Sequence, residues 1–421
     1  MTLRRRNILV VYAGYPTRAT LLDGLYCFDR YSEDKVSYLN LRLKSVPRYI
    51  RKLDFDLVIF HTLFFTSRHD PRAFNALMRK ALPLAECAGV KVMIPQDEFI
   101  NAQGVNEFIR MFAIDVVFSV MPEWEWPRIY NTIDRSYVRI CRVLPGYLDD
   151  VRLKKMRRFG NGIKTRVIDI GYRTAGRPPA WFGRHGLLKQ KIADVFVDKG
   201  RRFGLKLDIS TSAADTLLGD EWYRFLCRCK YTLGVEGGTS IIDRDGSIKC
   251  KTEEYCKKNP HARFDDIEKA CFPGLDGQFR GYAISPRHLE ACATRTCQVL
   301  TEGEYNGILL PGRHYIAVKE DFSNLEEVLK EIKRDALRKQ IVETAYQEIV
   351  ESGKYTYRQF VDFVISRSLP VAVRSGNKPL SVKAYYSIVH RWMGFVNVID
   401  RLIDLAHGRM VMPLRQRVLG R

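Results

Sequence analysis

Asn7-Ile8-Leu9-Val10-Val11-Tyr12-Ala13-Gly14 decides the architecture. An unbroken apolar run rich in β-branched residues reads as a strand buried on both faces, and such strands belong to parallel sheets. The glycine behind it opens a loop at the strand's carboxyl end. Residues 57–61, 90–95 and 115–120 are further runs of this kind. Helical stretches are expected between them at 21–31, 72–88 and 106–112, the second stopped by Gly89. Strands alternating with helices predict a doubly wound α/β domain over residues 1–155.

The alternation then restarts. Residues 165–170, 205–210, 231–235 and 297–300 read as strands, and 187–199, 222–229 and 286–294 as helices. Ser323 and Glu326 have the spacing of a capping box for one more helix. This predicts a second Rossmann-like domain over 160–365. Two doubly wound domains in tandem are expected to face each other across a cleft, with ligands beyond the carboxyl ends of the strands. In the remaining stretch, 366–421, Val382, Tyr385, Val389, Trp392, Val396, Ile399 and Ile403 recur at helical spacing opposite Lys383, Arg391 and Arg401. A basic amphipathic helical tail is expected there, packed on the N-terminal domain, resting on an anionic membrane, or both.

Composition narrows the function. The 421 residues carry 69 Lys or Arg against 48 Asp or Glu, a net charge of +21. Residues 151–206 hold sixteen of the cations against three aspartates. Such a balance points to an anionic partner: a phosphate, a nucleic acid or a membrane surface. The 46% hydrophobic and 11% aromatic content excludes a disordered chain. Ten scattered cysteines form no CxxC pair, and Cys227 and Cys229 are expected on one strand face. No zinc spacing and no HExxH is present, so neither a metal nor a cofactor is expected. No uncharged run approaches the ~18 residues of a membrane span, and the N-terminus lacks a signal-peptide pattern, which predicts a cytoplasmic protein.

The most informative segment is Ile284-Ser285-Pro286-Arg287-His288-Leu289-Glu290-Ala291-Cys292-Ala293. Ser285 suits an N-cap and Pro286 the first helical position. A helix starting this abruptly offers its positive end to a phosphate. Arg287 and Glu290 are three apart and share a face. The guanidinium can grip a diphosphate and the carboxylate can accept ribose hydroxyls. Further on the loop side of expected strands, Glu236 in Glu236-Gly237-Gly238 is a candidate for sugar hydroxyls. Asp97 or Glu98 is a candidate general base toward an acceptor hydroxyl if the configuration inverts. Asp243-Arg244-Asp245-Gly246 contains a DxD, read here as a turn rather than a metal site.

Residues 284–318 resemble the donor-site segment of GT-B glycosyltransferases. The similarity is closest to the group-one-like and spore-maturation-like transferases of polysaccharide and O-antigen clusters, whose R-x-x-E-A-x-A motif matches Arg287, Glu290, Ala291 and Ala293. It extends over 171–196, 207–210, 219–246 and 94–99. The resemblance implies a GT-B fold, a nucleoside-diphosphate-sugar donor held by the C-terminal half, and metal-independent transfer. Glu290 would hold the ribose. The cations Arg173, Arg177 and Lys189, in and after the loop behind the first strand of the second domain, would neutralise the leaving diphosphate. It further implies a sugar or lipid-linked acceptor, a role in surface polysaccharide assembly, and peripheral contact with the inner face of the cell membrane. Two positions depart from the pattern. Tyr282 stands where many retaining relatives carry a second glutamate, and Thr294-Arg295-Thr296 replace the usual glycine. An epimerase or phosphorylase on the same fold, and a nucleic-acid-binding protein, are the rival readings. Against the latter, no helix-turn-helix, RNP-like segment or zinc finger is present.

Overall fold

The computed structural model describes residues 5–369 except 17, 164, 175 and 177, and also residue 402. The chain divides into two compact units. The first takes the residues up to Val143, Ile242–Ser247 and the described residues from Phe360 on; the second takes Leu144–Ile241 and Ile248–Gln359. Of the tail expected over 366–421, only residues 366–369, where the Tyr357–Ser368 helix ends, and Leu402 are described; the rest, with its expected amphipathic helix, lies outside the described residues.

Strands β1 (Asn7–Tyr12), β2 (Lys35–Asn40), β3 (Leu57–Phe60), β4 (Val90–Met93), β5 (Val116–Ser119) and β6 (Arg139–Arg142) form the sheet of the first unit. Its order is β2-β1-β3-β4-β5-β6 and every pairing is parallel. Val10 is level with Tyr38 on one side and Ile59 on the other. Leu9, Val10 and Val11 are fully buried, as a strand covered on both faces requires. Phe60, Phe64, Phe65, Phe74, Phe108 and Phe112, all inaccessible to solvent, fill one face with mostly edge-on ring contacts.

The second unit holds β7 (Ile168–Arg173), β8 (Leu207–Ser210), β9 (Cys229–Gly234), β12 (Cys297–Thr301) and β13 (Ile316–Val318), in the order β13-β12-β9-β7-β8. These pairings too are parallel. A small antiparallel pair, β10 (Gly237–Thr239) and β11 (Gly281–Ala283), lies apart from that sheet. Each unit therefore has one of the two parallel Rossmann-like sheets the sequence predicts. In each, the chain moves from the first strand to one side and then crosses to the other, so the switch point lies between β1 and β3 in the first unit and between β7 and β9 in the second.

Several local expectations are corrected. Cys227 ends the Asp220–Arg228 helix and Cys229 opens β9, so the two sulfurs do not share a strand face. The Leu325–Ile332 helix starts from Asn324 without a side-chain cap, because the Ser323 amide donates to Asp321 at 2.9 Å and no capping box closes. Asp243 Oδ1 accepts from the Gly246 amide at 3.0 Å, which makes the DxD a turn. No helix among the described residues is long and apolar enough to cross a membrane.

The Pro286–Ala293 helix ends without a glycine. Arg295 takes the left-handed conformation itself, at φ +51°. The surrounding carbonyls are gathered by Arg166, which donates to Leu226 O at 3.0 Å, Cys229 O at 2.6 Å, Thr294 O at 2.7 Å and Thr296 Oγ1 at 3.0 Å. Removing a guanidinium that serves four acceptors takes a donor from the Cys229 and Thr294 carbonyls, while the Leu226 carbonyl keeps the Cys229 amide and the Thr296 hydroxyl. Arg166→Met is expected to lower the unfolding free energy by about 2–4 kcal/mol, read as a lower urea midpoint. An unchanged midpoint would contradict this role.

Candidate functional site

In a parallel sheet a crossover helix starts beyond the carboxyl end of one strand and runs back alongside the sheet. The Pro286–Ala293 helix, which leads into β12, therefore begins at the carboxyl edge of the second sheet. Its start is built as expected: Ser285 has extended backbone angles, its hydroxyl accepts from the Arg287 amide, and Pro286 fills the first turn. Two contacts bring that first turn to the β7/β9 switch point. Arg287 Nη1 donates to the Arg173 carbonyl, at the last residue of β7, at 2.5 Å. The buried His288 contacts the Val235 carbonyl, just past β9, through Nε2 at 3.2 Å. A side chain at Gly234 would meet the His288 ring at 2.7 Å, so this approach requires glycine there.

Glu290, one turn on, is buried, but its oxygens meet polar donors. Trp222 Nε1–H donates to Oε2 at 2.8 Å and the Tyr223 hydroxyl reaches Oε1 at 3.4 Å. The same Trp222 ring lies under Arg287, with the guanidinium carbon 4.8 Å from its centroid. Arg287, Trp222 and Glu290 thus form one group at the switch point. Trp222 and Tyr223 were missed as site residues from the sequence. They reach Glu290 across 68 and 67 residues, and no spacing pattern reports a contact of that range.

The other expected cations divide. Arg173 is committed to structure: it pairs with Asp208 Oδ1 at 2.6 Å, donates to the Asp208 and Tyr172 carbonyls, and packs over Phe225. Its charge is largely answered within the fold, and its contribution to the switch point is its backbone carbonyl. Lys189 is half-buried on the Gly183–Arg202 helix and, after burial itself, is the main influence pushing His185 down to about 4. Burial likewise takes His288 to about 4, and Arg287 and Lys189 add repulsion. Arg177 lies outside the described residues.

Glu236 does not present its carboxylate as a free sugar ligand. Its oxygens accept from the Tyr305 amide at 2.7 Å and the Glu304 amide at 3.2 Å, holding a turn in which Tyr305 and Asn306 both have positive φ. A side chain at Gly303 would come within 2.5 Å of Oε2, so the carboxylate fits against bare backbone. Tyr282 stacks on His185 with centroids 3.7 Å apart.

In the first unit, Asp97 and Glu98 follow β4 and separate in role. Glu98 is fully buried, and its Oε1 accepts from the Val120 amide at 3.1 Å and the Tyr130 hydroxyl at 3.3 Å. Burial pushes its pKa up. It anchors the loop and is withdrawn from the surface position a general base needs. Asp97 is only half-buried and, like Gln96, has positive φ, +55° and +49°. Two successive non-glycine residues in this region store strain that the surroundings must hold. Arg68, itself buried, does so by donating to the Gln96 and Pro95 carbonyls. His61, behind β3, is buried and accepts from the Leu63 amide at 3.2 Å. Among the described residues, no group of three or more His, Cys, Asp or Glu is placed to hold a metal.

No protein-family model and no curated protein matches the chain. Among solved structures it is similar to Anabaena HepE in complex with UDP and glucose, at 8% identity, covering 87% of this chain and 100% of that one with a TM-score of 0.48. It is also similar to sucrose-phosphate synthase from Thermosynechococcus elongatus (8%, 87% and 100%, 0.49) and to a glycosyltransferase from Rickettsia africae (9%, 89% and 100%, 0.47).

Three buried imidazoles give a pH dependence. His61, His185 and His288 each sit at about 4 in the folded chain, against 6.5 when exposed, with burial the first cause in every case. Between those values the unfolded chain binds protons that the folded chain does not. Stability from these groups is therefore full above about pH 6.5 and lost as the pH falls to about 4, each imidazole contributing on the order of 3 kcal/mol. Urea unfolding should show a steep loss across that window, made shallower by His288→Asn. A free energy independent of pH there would refute neutral, buried rings.

Proposed function

We propose that the protein is a glycosyltransferase that binds a nucleoside-diphosphate sugar at the β7/β9 switch point of its second unit. The observation that carries this is the joint placement of Arg287 and Glu290. They lie one turn apart on a capped helix that begins at the carboxyl edge of a parallel sheet, with the guanidinium at the end of β7. The helix end and Arg287 supply positive charge to the diphosphate, and Lys189 adds to it. The Ser285 hydroxyl already serves the Arg287 amide, so side chains and the dipole, more than open amides, hold the phosphates. Glu290 takes the ribose hydroxyls. As the bond from sugar to phosphate breaks, negative charge grows on the leaving diphosphate, and fixed cations stabilise it.

In the first unit, Asp97 is the candidate for taking the proton of an acceptor hydroxyl, since it is the carboxylate of the pair that reaches solvent. The motif resemblance supports a carbohydrate or lipid-linked acceptor and work in surface polysaccharide assembly at the inner membrane face. It also supports transfer without a metal.

A thermal-shift and calorimetric panel of UDP, GDP, ADP and CDP tests the donor site. At least one is expected to stabilise the protein. Arg287→Ala and Glu290→Ala should each weaken it about ten- to hundredfold, the loss of one charge-assisted contact. Asp97→Asn should leave that affinity unchanged and abolish acceptor-dependent nucleotide release. If no nucleoside diphosphate binds, the donor-site reading fails.

A further inference from the structure

We propose that Trp222 is the positioning residue of the ribose subsite and makes the site select ribonucleoside over 2′-deoxyribonucleoside diphosphates. The inference rests on the donor-site reading above and goes beyond it. Its basis is that one ring serves both groups that would touch the nucleotide. The indole N–H donates to Glu290 Oε2 at 2.8 Å, and the ring face carries the Arg287 guanidinium at 4.8 Å. Trp222 and Glu290 are each only 7% exposed, so this is a charge-assisted bond in a largely dry setting.

The chemistry of the donor matters. An indole has one N–H and no acceptor, so the bond has a single sense and cannot be reversed by rotation, as a hydroxyl can. It holds one carboxylate oxygen. The other, Oε1, meets the longer Tyr223 contact at 3.4 Å and is the one placed to yield to a ligand hydroxyl. The ring is held in turn. Trp222 lies in the first turn of the Asp220–Arg228 helix and packs in the same core cluster as Phe225, Leu226 and Leu289. Glu290 is thereby fixed before the nucleotide arrives. A 2′-hydroxyl then donates to a carboxylate already held in place, and sites built to bond a hydroxyl reject analogues that lack it.

The experiment takes whichever of UDP, GDP, ADP and CDP the unmutated protein binds best and compares it with its 2′-deoxy counterpart by calorimetry. The unmutated protein should prefer the ribonucleotide by about tenfold or more. Trp222→Phe keeps a ring face for Arg287 and removes the N–H. It should weaken ribonucleotide binding about tenfold, leave deoxynucleotide binding nearly unchanged and so reduce the preference to about threefold or less. Trp222→His, which restores a ring N–H, should recover part of the preference. A purely structural role for the ring would weaken both nucleotides alike and keep the ratio. That result overturns the inference while leaving the donor site standing, whereas failure of the unmutated protein to bind any nucleoside diphosphate overturns the donor site itself. Should Trp222→Phe not fold, the unmutated protein still decides the matter. The Trp222 indole N–H resonance, assigned by elimination among the five tryptophans, should shift on adding the ribonucleotide and much less on adding the deoxynucleotide. Equal shifts, or none, refute the proposal.

Discussion

A parallel strand with apolar side chains on both faces must be covered on both faces, and this constraint shapes each unit. The cover is helical, and a helix that links two parallel strands has to begin where the first strand ends. Helix starts and the loops that precede them are therefore collected at one edge of each sheet. In the second unit that edge receives the positive end of the Pro286–Ala293 helix and the end of β7 together. Arg287 on the Arg173 carbonyl and His288 near the Val235 carbonyl are the two contacts that convert this topological tendency into a defined place.

What could be read in the sequence follows from which physics is local. Period and burial are local, so β1, β3, β5 and the parallel order they imply were legible, as was the Ser285-Pro286 helix start. Side-chain partnership is not. Arg173 was expected in the loop behind a strand as a diphosphate cation, yet it is the last residue of β7 and Asp208 on the neighbouring strand claims it. Glu236 looked like a sugar ligand because glycines follow it, yet it holds the strained turn at Tyr305 and Asn306. In each case a partner distant in sequence decided the role. Asp97 and Glu98 show the same limit at closest range. Adjacent carboxylates separate into one that faces solvent and one that is buried, because Val120 and Tyr130 take the second.

The basic excess of residues 151–206 has a similar explanation. Arg152 and Lys155 meet Asp220, Arg184 meets Asp265, Glu268 and Asp276, and Arg202 meets Asp198. Arg166 serves carbonyls and Arg157 a tyrosine hydroxyl. Many of the cations that suggested an anionic partner are thus answered inside the second unit. Exposed pairs of this kind contribute little each, roughly 0–1 kcal/mol, so their consequence is electrostatic more than energetic. They reduce the diffuse positive field of that segment, while Arg287 and Lys189 are the charges that act on His288.

Those two charges have a cost in the neighbouring groups. His288 lies close to both cations and His185 to Lys189, both rings are buried as well, and each effect disfavours a further positive charge. Their neutrality lets the imidazoles act as packing and hydrogen-bonding groups around the switch point, with His185 stacked on Tyr282 and His288 set against the bare Gly234 backbone. Protonating His288 would place a third cation beside Arg287 and Lys189, and protonating His185 a second beside Lys189, in a poorly hydrated setting. The arrangement therefore ties the stability of the unit to neutral histidines, and under the proposed donor-site reading a bound diphosphate would relieve the repulsion.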